Sequence, residues 1–355
     1  MKALILSGGK GSRLRPLTHT SAKQLLPIAN KPIIFYGIES IAAAGIKEFA
    51  VIVGDTAEDV MREVGDGSRW GISITYIRQD QPLGLAHAVK ISRDFMKDEP
   101  FIMYLGDNML KEGIPELVAK FKYEKPNSLI LLTKVPDPQQ FGVAELDASG
   151  KIVKLTEKPK EPKSDLALVG VYLFDKTIFE AVDLIKPSKR GELEITDAIS
   201  RLLETGHRVE HHVVSGWWKD TGKPSDLLEA NQLILKDLPS KITGSVDRPS
   251  EIKGNVVIEE GARIESSILE GPAVIGRNTL IKKAYIGPYT SVSSDVVIEK
   301  SKVENSIIME EVSISGVHHK ITESIIGRGV RIVSTSGKAA DHKFIIGDKS
   351  EVVLA

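Results

Sequence analysis

The sequence predicts an α/β domain with a mixed sheet, followed by a left-handed parallel β-helix. The first part rests on strands that alternate with helices as far as about Leu238. The second rests on aliphatic residues that recur every five or six positions from Ile252 onward. The chain has 355 residues, more than one hydrophobic core usually organises, so two domains are expected. We expect them at residues 1–240 and 250–355, joined by a polar hinge near residues 237–249.

In the first part of the chain, apolar runs of strand length alternate with stretches of helix length. The strand candidates are Lys2 to Leu6, Phe49 to Val53, Ile72 to Ile77, Phe101 to Leu105, Leu129 to Thr133 and Leu168 to Phe174. The helix candidates are Ile33 to Ala44, Leu85 to Phe95 and Gly113 to Phe121. This alternation predicts a Rossmann-like sheet covered by helices on both faces, with ligands beyond the carboxyl ends of its strands.

In the second part, three aliphatic steps make one coil of the predicted β-helix. Ile252, Leu269, Ile286 and Val303 are each seventeen residues apart, as expected where a triangular coil repeats and stacks one corner on the next. The period fails beyond Ser334. We expect the apolar residues 344–347 and 352–354 to add strands that cap the last coil.

Composition excludes several classes of function. The net charge is −1 and the pI is near 6.7, which provides no polycationic surface for nucleic acid. No run reaches the roughly 18 apolar residues of a membrane span, and the first residues read as a strand in place of a signal-peptide core. Without cysteine there is no disulfide and no thiolate zinc site. We therefore expect a cytoplasmic protein that binds neither nucleic acid nor membrane.

The loop after the first strand predicts a polyphosphate ligand. It runs from Ser7 to Thr18 and is rich in glycine, whose backbone N–H groups can approach an anion closely. Arg13 and Lys23 add positive charge around the same anion. Leu14 stands at the third glycine position of a dinucleotide fingerprint, and no Gly-Lys-Ser/Thr occurs, so dehydrogenase and P-loop interpretations are disfavoured.

With the Arg13, Pro16, Thr18, Lys23 and Pro27 spacing, this opening resembles the nucleotidyltransferases that activate sugar 1-phosphates. The resemblance covers nearly the whole chain. It is closest to the long glucose-1-phosphate thymidylyltransferases, in which a catalytic nucleotidyltransferase domain precedes a left-handed β-helix. It implies that dTTP and α-D-glucose 1-phosphate are converted to dTDP-glucose and pyrophosphate with Mg²⁺ as cofactor.

Two aspartates resemble the pair that holds Mg²⁺ against the nucleotide phosphates in that family. Asp107 ends an apolar strand in Tyr104-Leu105-Gly106-Asp107-Asn108, and Asp220 lies in Trp217-Trp218-Lys219-Asp220-Thr221-Gly222. Magnesium prefers few carboxylates plus phosphate oxygens and waters, so two aspartates suffice. The attacking sugar phosphate is mostly dianionic at neutral pH, because its second pKa lies near ~6. No base is needed, and catalysis should rest on cations, the metal and positioning.

The sugar-phosphate side of the site is also implied by resemblance. Glu157 accepts hydrogen bonds from sugar hydroxyls, Lys158 meets the sugar phosphate, and Arg190 adds a bidentate clamp. Pro159 disfavours helical backbone at Lys158, which helps to project that side chain into a loop. The full predicted set is Asn108, Phe141, Gly142, Glu157, Lys158, Val169, Gly170 and Arg190. Phe141 replaces a tyrosine that is more usual there, so a hydroxyl contact at this point is in doubt.

Base recognition is expected from Gln79, whose amide can donate to a pyrimidine carbonyl and accept from the ring N–H, with backbone groups of Gly84 beside it. The predicted nucleotide-binding set is Leu6, Gly8, Gly9, Gly11, Ser12, Arg13, Lys23, Gln24, Gln79, Pro82, Gly84 and Asp107. The predicted catalytic set is Arg13, Lys23, Asp107, Lys158 and Asp220. Thymine and uracil differ by one methyl group, worth about 1–3 kcal/mol, so the sequence leaves dTTP and UTP open.

Three alternatives stay open at this stage. The first is a UTP-preferring uridylyltransferase, and the second is a non-catalytic nucleotide-sugar sensor. The third adds acetyl transfer, since His318 and His319 lie in the coil region and could serve as bases. A fold does not supply a function, so we expect the β-helix to rigidify the enzyme or join it into a homo-oligomer instead.

Overall fold

The computed structural model describes residues 1–9, 11–111, 113–334 and 343–354. Its contacts divide the chain into two compact units. One unit is Met1–Lys10 with Ile34–Asp220, and the other is Gly11–Ile33 with Thr221–Ala355. The segment that follows the glycine-rich loop is therefore grouped with the β-helix, which no local pattern in the sequence indicates. The predicted domains at residues 1–240 and 250–355 stay a prediction.

The first unit is built on a mixed sheet. Its strands are β1 (Lys2–Ser7), β2 (Glu48–Val53), β3 (Ser73–Arg78), β4 (Phe101–Leu105), β5 (Asn108–Leu110), β6 (Ser128–Lys134), β7 (Gly142–Leu146), β8 (Ile152–Glu157), β9 (Leu166–Phe174), β10 (Val209–Val213) and β11 (Trp218–Asp220). In the described chain nine of these form one sheet in the order β8-β7-β9-β4-β1-β2-β3, with β6 paired to β9 and β10 to β6. The remaining strands, β5 and β11, form an antiparallel ribbon.

The centre of this sheet is parallel, as predicted. Strand β1 runs parallel to β2 and β4, and β2 runs parallel to β3. Strands β1, β2 and β4 are almost wholly buried and mostly apolar, because both faces of the sheet are covered there, whereas β3 lies at the end of the strand order and is partly exposed. Strand β9 is antiparallel to β4, which makes the sheet mixed. The carboxyl ends of β1 to β4 therefore lie at one edge, where a ligand crevice is expected.

Helices cover the sheet and join its strands. They are α1 (Ile33–Ala43), α2 (Ala57–Val64), α3 (Leu85–Ile91), α4 (Arg93–Met96), α5 (Ile114–Glu124), α6 (Thr177–Leu184) and α7 (Ile195–Glu204), while α8 (Pro224–Asp237) belongs to the second unit. None of the helices in the described part of the chain has the length and apolarity that crossing a membrane would need.

One helix prediction was wrong. Residues 85–95 form α3 and α4 in place of a single helix, and the break falls at Ser92. The buried Ser92 hydroxyl donates to the carbonyl oxygen of Val89 at 2.7 Å. A serine hydroxyl that bonds to the backbone competes with the regular helical ladder, which accounts for the break.

The second unit contains the predicted left-handed β-helix. Its short strands are Lys241–Ile242, Ser245–Val246, Glu251–Lys253, Val256–Ile258, Arg263–Glu265, Ile268–Glu270, Ala273–Ile275, Leu280–Lys282, Tyr285–Ile286, Thr290–Val292, Val297–Glu299, Lys302–Val303, Ile307–Ile308, Ser313–Ser315, Lys320–Ile321, Ile325–Ile326, Arg331–Ser334, Ile345–Ile346 and Glu351–Leu354. They pair in parallel within three stacked sheets. Their inward aliphatic side chains form one continuous core.

The predicted repeat agrees with the strand register. Ile252 pairs with Leu269, Leu269 with Ile286, and Ile286 with Val303. The next partner of Val303 is Ile321, eighteen residues on. The loop at residues 316–319 is two residues longer than the loop it stacks on at residues 300–301, and the corner after Val303 is one residue shorter than the corner after Ile286. The capping prediction is confirmed, since Ile345–Ile346 and Glu351–Leu354 add to the last strands of two sheets. Residues 335–342 and Ala355 lie outside the described part.

The early segment of the second unit is tied to α8 and the coil by side-chain amides. A short hairpin pairs Pro27–Ile28 with Lys31–Pro32. Asn231 is fully buried, accepts from the Ala29 N–H at 2.8 Å and donates to the carbonyl oxygen of Tyr289 at 3.0 Å. Asn30 donates to the carbonyl oxygen of Val292 at 2.7 Å. These bonds explain why residues 11–33 are grouped with the second unit.

Candidate active site

The carboxyl-end edge of the sheet gathers the loops that the sequence singled out. The backbone N–H of Gly106 donates to the carbonyl oxygen of Leu6 at 2.9 Å, which holds the turn before Asp107 against the end of β1. The backbone N–H of Gln79 donates to Val53 at 2.8 Å, which holds the loop after β3 against β2. The Leu6 side chain is 8% exposed and packs in the core, so only its backbone faces this edge.

Gly8 lies against the predicted base-reading residue. A Cβ added to Gly8 would lie 3.3 Å from Gln79 Oε1. A Cβ added to Gly54, after β2, would lie 3.1 Å from the carbonyl oxygen of Gly8. Glycine at both positions keeps this edge narrow enough for backbone groups to meet a ligand. Gly9 follows Gly8 and is exposed.

The amide of Gln79 is held by two neighbours. Its Nε2 donates to the carbonyl oxygen of Gly84 at 3.2 Å and lies 3.0 Å from Nδ1 of His87. Gly84 has a φ of +101° and packs so tightly that an added Cβ would lie 2.4 Å from the carbonyl oxygen of Leu193. Pro82 is exposed in the same loop. His87 was not predicted as a site residue, although its place in the first turn after Gly84 was a usable signal.

The two predicted metal ligands lie on one ribbon. Asp220 is the register partner of Asn108 across β5 and β11, and Asp107 immediately precedes Asn108. Register partners in an antiparallel pair have Cα atoms about 5 Å apart, so both aspartates belong to the same small region. Two carboxylates are hard oxygen donors, and the pair fits a divalent cation that completes its shell with phosphate oxygens and water.

Asn108 holds this ribbon together. Its side chain is 2% exposed, and its Nδ2 donates to Asp107 Oδ1 at 2.9 Å. Its Oδ1 accepts from the indole N–H of Trp218 at 2.7 Å and from the backbone N–H of Gly170 at 3.2 Å. This arrangement orients Asp107, and a direct contact of Asn108 with sugar stays a prediction. Trp218 was not assigned from the sequence, although it stands two residues before Asp220.

Two glycines of the predicted hexose site, Gly142 and Gly170, pack closely against neighbouring side chains. A Cβ on Gly170 would lie 2.8 Å from Asn108 Cγ, and one on Gly142 would lie 3.2 Å from Glu157 Oε2. The Phe141 ring packs edge-on against Trp218 at 5.3 Å between centroids. Val169 is fully buried, so its side chain belongs to the core beside this pocket.

Lys158 lies just after β8 and outside it, as Pro159 led us to expect, but the strain in its backbone was not predicted. Its φ is +41°, a left-handed conformation that is uncommon outside glycine and asparagine. Its backbone N–H donates to the carbonyl oxygen of Phe141 at 3.0 Å, which fixes the turn, and its side chain is exposed. Strain held by surrounding structure is typical of functional positions.

Arg190 is surrounded by carboxylates. Its guanidinium lies 2.6 Å from Glu192, 3.2 Å from Glu194 and 3.7 Å from Glu157. Thr196 donates to Glu157 Oε2 at 3.3 Å. Burial, and then the negative charge of Glu194, raise the pKa of Glu157. The Arg190 guanidinium is therefore surrounded by three carboxyl groups before any substrate binds.

The predicted site residues of the second unit surround Gly11. Gly11 has a φ of +57°, accepts from Thr18 Oγ1 at 2.7 Å, and has no room for a Cβ, which would lie 3.2 Å from Lys23 Cβ. Lys23 and Gln24 are 6% and 3% exposed, and Gln24 Oε1 has no hydrogen-bond partner in the described chain. Such a buried unpaired acceptor is costly unless a ligand satisfies it.

Arg13 is exposed beside Gly222, with Ser12 exposed next to it. A Cβ on Gly222 would lie 2.9 Å from Arg13 Nη2, so glycine two residues after Asp220 makes room for the guanidinium. Within the described residues no hydrogen bond or ion pair engages this guanidinium. Gly222 lies in the motif around Asp220, but it was not predicted as a site residue, because the space that it leaves for Arg13 depends on tertiary packing.

Comparison with known proteins shows what this chain is similar to. Residues 2–237 match the nucleotidyl transferase family. The chain is 51% identical to a glucose-1-phosphate thymidylyltransferase of Streptomyces griseus, covering 100% of both chains, and 52% identical to one of Streptomyces antibioticus, covering 100% of this chain and 99% of the relative. A crystal structure of a protein assigned as a Bacillus anthracis glucose-1-phosphate thymidylyltransferase, solved with sucrose, is 38% identical, with a TM-score of 0.63 over 68% of this chain and 98% of that one.

Proposed function

Because this chain belongs to the nucleotidyl transferase family, we propose that it is a glucose-1-phosphate thymidylyltransferase, which converts dTTP and α-D-glucose 1-phosphate to dTDP-glucose and pyrophosphate. The match to such enzymes along the whole chain supports this proposal. The observation that carries it is the sheet edge where Gly8, Gln79 and Gly84 meet. An acceptor held beside two glycines suits a flat base that carries a ring N–H.

The triphosphate is bound by the loop that follows β1. Gly8, Gly9 and Gly11 bring backbone N–H groups to the phosphates, and Arg13 and Lys23 offset their charge. Arg13 suits this role because its guanidinium has no carboxylate partner among the described residues. Gln24 contributes its buried Oε1 as an acceptor for a nucleotide donor group.

The metal is held by Asp107 and Asp220. Members of this family generally use a divalent metal ion, and we propose Mg²⁺, which is typically bound by one or two carboxylates together with substrate phosphates. The ion neutralises phosphate charge when it is bound. Asn108 orients Asp107 through its Nδ2, so the carboxylate keeps its direction before substrate binds.

The sugar phosphate is bound at the other end of the sheet edge. Glu157 accepts from glucose hydroxyls, and Lys158 and Arg190 hold the phosphate for in-line approach. A phosphate oxygen of glucose 1-phosphate attacks the α-phosphorus of dTTP, a new P–O bond forms, and the bond to pyrophosphate breaks. The attacking oxygen is already mostly deprotonated, so these residues position the reactants and offset their charge without taking a proton.

The test is pyrophosphate release by the purified full chain. With dTTP, glucose 1-phosphate and Mg²⁺ we expect turnover that is lost on chelation, and Asp107→Asn should lower kcat by at least about 100-fold, a typical cost of losing an electrostatic group from an active site. Asp98→Asn is the matched control, because Asp98 is an exposed surface carboxylate paired with Lys176. No pyrophosphate with any nucleoside triphosphate would refute the proposal.

The alternatives raised by the sequence are not favoured. Comparing dTTP with UTP as substrates in the same assay tests the uridylyltransferase alternative. A matrix of hexose phosphates tests which sugar phosphate is the substrate. His318 is exposed and His319 is buried. An acetyltransferase would release CoA from acetyl-CoA with an amino-sugar phosphate, and we expect none.

Homo-oligomerisation through the β-helix and a cytoplasmic location stay predictions.

A further inference from the structure

The amide of Gln79 has one orientation that its neighbours allow. Gly84 offers a carbonyl oxygen 3.2 Å from Nε2. If the amide were turned over, Oε1 would face this carbonyl, and two acceptors would stand against each other without a hydrogen. The same carbonyl also accepts from the Ala88 N–H at 3.3 Å in the first turn of α3, so its position is fixed by the helix.

His87 takes the second hydrogen of that amide. Its Nδ1 lies 3.0 Å from Gln79 Nε2, and an amide nitrogen can only donate, so Nδ1 must be the acceptor. The hydrogen of the neutral ring is then on Nε2. Burial, and then the positive charge of Lys90, hold the pKa of His87 below its usual range, which favours this neutral form near pH 7.

With both amide hydrogens engaged, Oε1 is the group of Gln79 that remains for a ligand, so the donation to a pyrimidine carbonyl expected from the sequence is not available. It faces Gly8, where an added Cβ would lie 3.3 Å away. An acceptor at this point matches the ring N–H that thymine and uracil carry between their carbonyls. It opposes cytosine, which has an acceptor nitrogen at the same ring position.

We propose that His87 is a positioning residue for base selection, which fixes the Gln79 amide so that the site accepts pyrimidines with a ring N–H and rejects cytosine. This inference rests on the proposed function, since it assigns the base end of the same site. His87 acts through Gln79 and touches neither the reacting phosphates nor the metal ligands. Without the His87 acceptor, only the Gly84 carbonyl still holds the amide, and the second amide hydrogen is left to turn toward the base.

Two substitutions of His87 distinguish the effect of its Nδ1 acceptor from the effect of its ring. His87→Phe keeps a planar ring without an acceptor, whereas His87→Asn places an acceptor close to the position of Nδ1. For His87→Phe we expect KM for dTTP to rise about tenfold, kcat to change little, and the dTTP to CTP ratio of kcat/KM to fall about tenfold, as for one misplaced hydrogen-bonding group. His87→Asn should restore most of the selectivity. Asp94→Asn, at an exposed position on α4, is the control and should keep the selectivity.

A double-mutant cycle completes the test. In a Gln79→Ala background, His87→Phe should have no further effect on the dTTP to CTP ratio, because the group that it positions is gone. An unchanged ratio in His87→Phe, or an equal loss in both backgrounds, would overturn the inference. If His87→Phe fails to fold, His87→Asn and His87→Gln are compared instead. Glutamine places its acceptor near the position of Nε2, so His87→Gln should lose the selectivity that His87→Asn keeps. Failure of the wild type to use dTTP would count against the proposed function instead.

Discussion

The two ends of the sheet-edge site are held in different ways. At the base end, Gln79, Gly84 and His87 are neutral, and their donors and acceptors match one another. At the sugar end, Arg190 is paired with carboxylates, and the pKa of Glu157 is raised by burial and by Glu194. The base end is therefore ready for its ligand, whereas the sugar end must exchange ionic partners when a phosphate arrives.

This difference suits the two ligands. A base is uncharged, so a rigid set of neutral groups can select it without loss of existing bonds. A sugar phosphate is a dianion, and the carboxylates hold Arg190 in place until the phosphate competes for it. The two ends are also joined by backbone hydrogen bonds of Leu193, which follows Glu192 in the chain. The Leu193 N–H donates to the carbonyl oxygen of Leu83 at 2.7 Å, and the Leu193 carbonyl oxygen accepts from the Ala86 N–H at 3.0 Å.

Breaking that contact should have the largest effect. Gly84→Ala would place a Cβ 2.4 Å from the Leu193 carbonyl oxygen at a φ of +101°. We expect a loss of about 2–4 kcal/mol in the free energy of unfolding and weaker binding of both substrates, because backbone cannot give way as a flexible side chain can. Chemical denaturation and steady-state kinetics measure the two effects.

Gly206→Ala is the matched control for that substitution. Gly206 also has a positive φ, of +79°, but no atom lies within 4 Å of its missing Cβ. Only the left-handed conformation is then penalised, by about 1–2 kcal/mol. Equal losses at the two positions would show that the Leu193 contact does not join the ends.

The next prediction separates the two ends kinetically. Arg190→Met should raise KM for glucose 1-phosphate by about 10- to 100-fold, as expected for loss of a charge-assisted hydrogen bond. KM for dTTP should stay within about twofold, since the base end has its own partners. Initial rates with each substrate varied in turn measure the two values. A similar rise for both substrates would contradict the comparison.

The smallest effect concerns the buried acid. The pKa of Glu157 is raised in the folded state, so the wild type gains stability as the pH falls through that pKa and loses it as the pH rises. The neutral side chain of Glu157→Gln avoids the free-energy cost of keeping a charged carboxylate in a buried position. We expect the variant to be more stable than the wild type at pH 8 by up to about 1 kcal/mol, with a smaller difference at pH 5, although its activity falls. Melting temperatures at the two pH values test the sign, and a less stable variant at pH 8 would contradict it.

The sequence predicted the features that depend on local pattern. The parallel strands, Asp107 at the end of β4 and the coil register of Ile252 and Leu269 each follow from the spacing of apolar residues. The break at Ser92 was not foreseen, because a serine within a helical pattern shows its competing hydrogen bond only once the helix is built.

The sequence by itself determined the two architectures, the family and the loops where chemistry is expected, since periodicity and short motifs are encoded within single elements. Only the tertiary structure decided that His87 orients Gln79, that Asn108 joins Asp107 to Trp218, and that three carboxylates surround Arg190. It also decided that residues 11–33 are grouped with the second unit. These pairings join residues that are distant in the chain or whose facing atoms depend on packing, so no local pattern records them.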